Sequence, residues 1–502
     1  MYEVDEVVIG AGLTGLVYAN VAASNGLKVA VIEKHTRPGG YATNFMRKGA
    51  NGKYVFDCSL HKITGLGANG NLQDALKRSG LLEHIDFHYY QELTTFILGN
   101  TRITLPADGI GAFKELKRCF PEEAASLDKF FDDIQSIGHF NYMFARMALG
   151  EYSLDDPSIL VEGRKLSKIS TYQYFRALFK DPTLITLLCA IPINLGVEAY
   201  EADALYFLHF AYTFFMTDKG YVKGSSQKLS NTLVEELKKR GGELFLNNAL
   251  VKIDLENTKV VGVQTSRQRF LTNHVVFTGC PHQIVDLVPF DIAMDDFQKK
   301  LAKLHFGLGA FIVYLGLVVP PSQIGITDPD YLIADEGYLG CADEVGNSDL
   351  RYQRWPLSIS NYHALDPNYG FVVQLEMLEQ QDDWFDLSCD DYKVKKRLVA
   401  DKIINRASQY FRGLKDVIDF MDVSTPRTNM RYTNSGGGSS FGYKPKPGRN
   451  VRFLQNPPID GIQFVGTWVS GAGYEPAMCL GFTAATLRSR KLQLISLGGT
   501  NP

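Results

Sequence analysis

Forty residues at the N-terminus constrain this chain more than any other stretch. Val4 to Ile9 reads as a buried strand, Gly10-Ala-Gly-Leu-Thr-Gly15 follows at once, and Leu16 to Ser24 continues small and apolar at helical spacing. A second strand, Val29 to Ile32, ends in Glu33, where a dinucleotide fold needs a carboxylate to accept hydrogen bonds from an adenosine ribose. Gly10 permits a tight turn, Gly12 leaves room for a pyrophosphate to approach backbone, and Gly15 lets the helix pack on the strand. The helix N-terminus adds partial positive charge. A glycine-rich loop in any α/β protein is the plainer alternative, and the order of strand, helix and acid argues against it.

Shortly after Glu33 the chain reads Arg37-Pro-Gly-Gly40. This resembles the extension of the glutathione-reductase-type FAD fold, whose Gly-Gly turn contacts the diphosphate, and it favours FAD over NAD. With 502 residues the chain is long enough for two or three domains, and so for a cofactor and a substrate together. Lysine and arginine total 52 against 55 acids, a net charge of −3 that excludes nucleic acid as the main partner. The 31 Phe and 25 Tyr are those of a globular protein with a generous apolar interior, part of which could line a pocket.

Seven cysteines (58, 119, 189, 280, 341, 389 and 479) are scattered and form no C-x-x-C pair, which points to a reducing compartment and to no metal site. We expect no cleaved secretory leader, since the first core strand begins at about residue 4. Leu205 to Met216 and Leu308 to Val319 are the longest apolar runs, short of the roughly 20 residues a spanning helix needs. The expected location is cytoplasmic, with peripheral membrane contact left open; oligomeric state is not legible.

After Thr43 to Arg47 comes Tyr54-Val-Phe-Asp57-Cys-Ser-Leu-His61-Lys-Ile-Thr-Gly65. Gly39-Gly40 with the Phe56-Asp57 strand and the Ser59 to Gly65 turn resembles the phytoene desaturase and carotenoid isomerase group of flavoproteins, which includes retinol saturase. In that group this turn runs close to the flavin. Further matching stretches are Ser424 to Arg427, Arg431-Tyr432-Thr433, Gly436 to Gly442, and Phe464-Val-Gly466-Thr-Trp468 with Gly471 to Pro476. The resemblance covers nearly the whole chain, strongly at both ends and loosely between Ala68 and Tyr200.

It implies an α/β architecture: a discontinuous Rossmann-like FAD-binding domain (residues 1–66, 220–285 and 445–502), a mixed-sheet substrate domain (67–123 and 286–444) and a helical cap or membrane-facing subdomain (124–219). The cofactor would be held by Gly10, Gly12, Leu13, Thr14, Gly15, Glu33, Lys34, Gly39 and Gly40. Val251 in the returning hairpin, and Gly466, Thr467, Ala477 and Met478 near the end, would complete its site. The cap is dense in aromatics, among them Tyr142, Tyr206, Phe210 and Phe214; plain core packing and a substrate enclosure both account for them.

Two positions depart from the family. Thr467 stands where many flavoproteins carry an Asp for the ribityl chain, and Tyr474-Glu475 occupies a turn that is glycine-rich and apolar in the carotenoid enzymes. By family position Glu475, His61 and Asp57 fall near the isoalloxazine, with Arg431 and Tyr432 as partners for a polar head or developing charge. Glu475 ranks first as the proton-handling group and His61 second, although Glu475 capping a helix or facing solvent explains that residue equally well, and a histidine after an apolar strand is more often packed and hydrogen-bonded than catalytic. No second G-x-G-x-x-G follows a strand, so no separate NAD(P) domain is expected. The reading is an FAD-dependent oxidoreductase that desaturates, saturates or isomerises double bonds of an apolar isoprenoid or polyene-like substrate. An amine-oxidase-like flavoprotein and a non-catalytic, flavin-stabilised ligand binder are the alternatives.

Overall fold

The computed structural model describes residues 2–59, 62–154, 156–289, 294–335, 338 and 348–496. His61 and Cys341 lie outside them. The N-terminal stretch forms strand β1 (Glu6–Ile9), helix α1 (Leu13–Ser24) and strand β2 (Val29–Ile32). Helices α2 (Asn71–Arg78) and α3 (Ala204–Met216) follow, then strands β3 (Glu243–Phe245), β4 (Val275–Phe277) and β5 (Ile462–Phe464), and finally helix α4 (Tyr474–Ser496). Strands β3-β2-β1-β4-β5 lie side by side, all parallel, so three distant parts of the chain build one sheet.

Val7, Val8, Val29, Val31, Val275 and Val276 are buried, as β-branched residues of a parallel sheet covered on both faces are. Helix α4 lies against α1 so closely that a Cβ on Gly481 would fall 2.4 Å from the Thr14 carbonyl oxygen. The two ends of the chain thereby close the same layer.

A second sheet has seven strands in the order 418–424, 309–317, 372–379, 357–361, 330–334, 92–98 and 101–106. It is mixed, because 330–334 runs parallel to 92–98 while the other pairs are antiparallel. The sequence pattern reads strands at 311–319, 358–362 and 371–377, and the 92–106 hairpin and the 330–334 and 418–424 strands add to these.

Helices between residues 124 and 216 cover one end of this sheet, and their aromatics pack mostly on each other. Phe130 is fully buried against Phe113, Phe175, Phe207 and Phe215. Truncating it to Ala would cost about 3–5 kcal/mol. The outer aromatics of the same helices face a cavity instead. No helix among the described residues is long and apolar enough to cross a membrane.

Candidate functional site

A cavity of about 2180 Å³ runs from the glycine turn after β1, past α4, into the helical cap. Ligand clefts usually hold about 300–1,000 Å³, so this one has room for a dinucleotide and a second molecule. Its first part is a phosphate cradle. Gly10 has φ +103° and leaves no space for a Cβ, which would fall 2.5 Å from Thr278 Oγ1. The Gly39 N–H donates to the Ala11 carbonyl at 2.7 Å, joining the second glycine pair to the first.

Helix α1 starts at Gly12 with no side-chain cap and no acid in its first turn. Its leading N–H groups are therefore available to an anion. A Cβ on Gly12 would meet nothing within 4 Å, whereas one on Gly15 would fall 2.1 Å from the Gly10 carbonyl oxygen. The open space at Gly12 and the closed packing at Gly15 are what a bound pyrophosphate requires. Leu13 and Thr14 line the cavity beside them.

Glu33 does more than sequence spacing reveals. Its Oε2 accepts from the Ala11 N–H at 2.9 Å and its Oε1 from the His35 N–H at 2.8 Å, so the carboxylate braces the turn and keeps further acceptor capacity toward the cavity. Lys34 donates to Asn434 Oδ1 and closes this end of the cleft.

The remaining sequence-predicted residues divide. Gly466, Thr467 and Ala477 line the cavity, with a Cβ on Gly466 falling 3.0 Å from Thr14 Oγ1, while Met478 points into the core with no exposure. Val251 is 56% exposed and outside the cavity wall; Asn248, Ala249 and Leu250 line it instead. The hairpin register shifts between Leu250 and Lys252, which breaks the alternation that would have turned Val251 inward. Asn248, missed by the sequence, is buried there with neither amide atom partnered among the described residues.

Asp57 is also away from the cavity wall. It accepts from Tyr221 Oη at 2.7 Å and from both the N–H and the hydroxyl of Ser226, and tethers the helix that begins there to the 53–57 strand. Burial pushes its carboxyl up to about 6 against those hydrogen bonds. Arg431 and Tyr432 do line the cavity, but beside Lys34 and His35 at the Glu33 end: Tyr432 packs edge-on to His35, and the Lys34 ammonium reaches the Arg431 carbonyl. They are not among the side chains around Glu475.

Glu475 occupies the first turn of α4. Pro476 fits there because first-turn residues need no intrahelical N–H partner. The carboxyl lies at the junction of cradle and cap, 3% exposed. Thr64 Oγ1 donates to its Oε2 and Tyr142 Oη to its Oε1 at 2.6 Å. The Asn71 N–H, in the first turn of α2, donates to the same tyrosine oxygen at 2.6 Å and so directs the phenolic proton toward the carboxyl. Burial pushes the Glu475 carboxyl above the usual range, opposed by those two hydroxyls and by the Lys219 ammonium. Lys219 donates to the Ala107 and Phe215 carbonyls, and burial, with Lys62 nearby, pushes it down to about 7. Thr64 lies inside the stretch that resembles the family's flavin-side turn; Tyr142 and Lys219 carry no sequence signal for this role.

Beyond Glu475 the wall carries Phe144, Ile193, Leu195, Leu205, Phe210 and Phe214, with Tyr206 and His209 from α3 and the polar side chains of Asn141, Asn194 and Thr213 between them. The site thus joins an anion-binding dinucleotide cradle to an apolar chamber, with a protonatable acid between them.

A family model described as an NAD(P)-binding Rossmann-like domain matches residues 8–79. Prolycopene isomerase 1, chloroplastic, from an Oncidium hybrid cultivar is 27% identical over 97% of this chain and 85% of its own. All-trans-retinol 13,14-reductase from Danio rerio is 23% identical over 99% of this chain and 88% of its own. The solved structure of putrescine oxidase bound to putrescine superposes with a TM-score of 0.63 at 16% identity, covering 97% of this chain and 99% of that one. That last likeness concerns the fold, an α/β architecture suited to a flavin or nucleotide cofactor. Over nearly its whole length the chain is similar to the isomerase and the reductase, and over 62% of it to a 4,4'-diapophytoene desaturase from Methylomonas sp, relatives of the phytoene desaturase, carotenoid isomerase and retinol saturase group.

Proposed function

We propose that this protein is an FAD-dependent enzyme that desaturates, saturates or isomerises carbon–carbon double bonds of an apolar isoprenoid or polyene-like substrate. The observation that carries the reading is the continuity of one cavity from the cradle at Gly12 and Glu33, past Glu475, into the apolar cap. Relatives named as a prolycopene isomerase and a retinol reductase support it. The cradle, the second glycine pair at Gly39 and the cavity's length along α4 favour FAD over a nicotinamide dinucleotide.

Gly10, Gly12, Gly39, Gly40, Glu33 and the N-terminus of α1 would hold the adenosine diphosphate, with Gly466 and Thr467 further along. When bound, a flavin supplies a ring that exchanges hydride with carbon. The chain's own part is then to exclude water, align the substrate and manage a proton. Phe210 and Phe214 provide apolar walls for the first two tasks. Glu475 takes the third: in desaturation its carboxylate accepts the proton lost from the carbon next to the one that gives up hydride, and in saturation its protonated form returns it. Thr64 and Tyr142 hold the carboxyl for either direction.

Anaerobic incubation of the purified protein with a polyene and, separately, with an amine tests the proposal. A changed polyene in the chromatogram with the amine untouched supports it. Flavin bleaching by the amine alone would move the protein to the amine-oxidase-like class.

A further inference from the structure

Helix α3 reads Ala-Leu-Tyr-Phe-Leu-His-Phe-Ala-Tyr-Thr-Phe-Phe-Met, apolar along most of its length. Tyr206 and His209 stand three residues apart on one face, and both line the cavity. Their rings stack, with centroids 6.1 Å apart and planes at 16°. The Arg449 guanidinium lies 5.1 Å from the Tyr206 ring, and the Tyr206 hydroxyl stands over Gly471, where a Cβ would fall 2.2 Å from it. Packing therefore fixes the direction of this hydroxyl, and it has no hydrogen-bond partner among the described residues.

His209 donates one ring N–H to the Asn141 carbonyl, and burial pushes its pKa down to about 4, so the ring is neutral near physiological pH. Its second nitrogen then carries a lone pair. Leu205, Phe210 and Phe214 beside them offer no hydrogen bond, and the polar neighbours Asn141, Asn194 and Thr213 donate to the Ile137, Ile191 and Phe210 carbonyls of their own helical turns. The His209 ring lies 6.0 Å from that of Tyr142, which donates to Glu475, so the polar pair is at the acid's end of the chamber.

We propose that Tyr206 and His209 form a hydroxyl-binding station, and that the substrate is an isoprenoid or polyene alcohol rather than a hydrocarbon. An alcohol oxygen accepts from the tyrosine O–H and donates its own proton to the histidine lone pair. A carbonyl uses only the first of these bonds. A hydrocarbon uses neither and leaves both polar groups covered but unpaired, the arrangement that discriminates most strongly between ligands of one shape. This rests on the reading of the cavity as a polyene site and narrows it to one chemical class.

The test uses the flavin-loaded protein and three ligands of one carbon skeleton: retinol, retinal and the deoxygenated hydrocarbon axerophthene. Quenching of protein fluorescence reports binding, since Trp468 lines the cavity. The expected order is alcohol, then aldehyde, then hydrocarbon, with roughly 10-fold or more between first and last. Tyr206→Phe and His209→Phe should each flatten the series by weakening alcohol binding while hydrocarbon affinity holds or rises. Comparing ratios between wild type and variants cancels differences in ligand solubility. Equal affinity of the wild type for all three would overturn the station and leave the polyene reading standing. Undiminished discrimination in both variants would also overturn it. Binding of none of the three would overturn the station together with the polyene reading.

Discussion

Replacing Gly12 and Gly15 in turn separates cofactor space from packing space within one motif. Gly12 has φ −74°, ordinary for any residue, and a Cβ there touches nothing within 4 Å. Gly12→Val should therefore leave the cofactor-free protein within about 1 kcal/mol of wild type, a change typical of an altered N-cap residue. Its side chain would project into the cradle, and the stabilisation that bound cofactor confers, about 4 kcal/mol at a thousand-fold excess over Kd, should vanish. Gly15→Ala places a methyl 2.1 Å from the Gly10 carbonyl oxygen and 3.1 Å from Val8 Cγ1. Since backbone must move, the cost is about 1–3 kcal/mol or more in the cofactor-free protein itself. Flavin absorbance after purification and denaturant unfolding with and without added FAD read the two effects. A stable Gly12→Val protein with full flavin, or a cofactor-free Gly15→Ala protein as stable as wild type, would refute the assignment of these spaces.

Glu475→Gln should keep its flavin, because the cradle is untouched, while turnover falls by about 10²- to 10⁴-fold; wild-type turnover in that variant would leave Glu475 a helix-start residue only. Glu33→Ala should weaken FAD more than a lost ribose contact alone, because the Ala11 and His35 N–H groups lose their acceptor, and a titration with FAD measures this. Asp57 has a folded pKa raised from 3.8 to about 6, so the folded state holds the extra proton between those values. The stability of wild type relative to Asp57→Asn should therefore be greatest below about pH 4 and fall as pH rises through about 6, by up to about 3 kcal/mol, read by unfolding at a series of pH values. Liposome flotation should show peripheral binding through apolar groups at the cavity rim, where Phe144 is 63% exposed, and Phe144→Ser should weaken it; equal flotation of both proteins would remove that residue from the contact.

The cofactor half of this protein is written locally, and that is why it could be read. Gly10, Gly12, Gly15 and Glu33 act through spacing within one strand-turn-helix-strand unit, where sequence distance and spatial distance are tied by element geometry. Features that depend on pairing between distant segments were not legible. Val251 lies in the expected hairpin strand but faces out, because a register irregularity around it resets the alternation. Asp57 sits in the expected strand, yet its partners are Tyr221 and Ser226, brought to it by the tertiary fold rather than by sequence spacing. Glu475 stood out as an acid in an apolar family position. The two hydroxyls that hold it come from Thr64 and Tyr142, and Tyr142 was one aromatic among many whose stripe fits plain packing as well. The aromatic surplus itself divides in the fold: Phe130 and its neighbours fill the core, while Tyr206, Phe210 and Phe214 face the cavity.

The most direct test of the central claim is product analysis after anaerobic incubation of polyenes, supplied both as hydrocarbon and as alcohol, with wild-type protein and with Gly12→Val. Oxidised flavin is used in one series and chemically reduced flavin in another, so that desaturation, saturation and isomerisation each have the redox state they need. The account predicts a polyene product of altered double-bond number or geometry from the flavin-loaded wild type in at least one series, and none from the variant. An unaltered polyene in both series, with the flavin of the same preparation bleached by an amine, would contradict it.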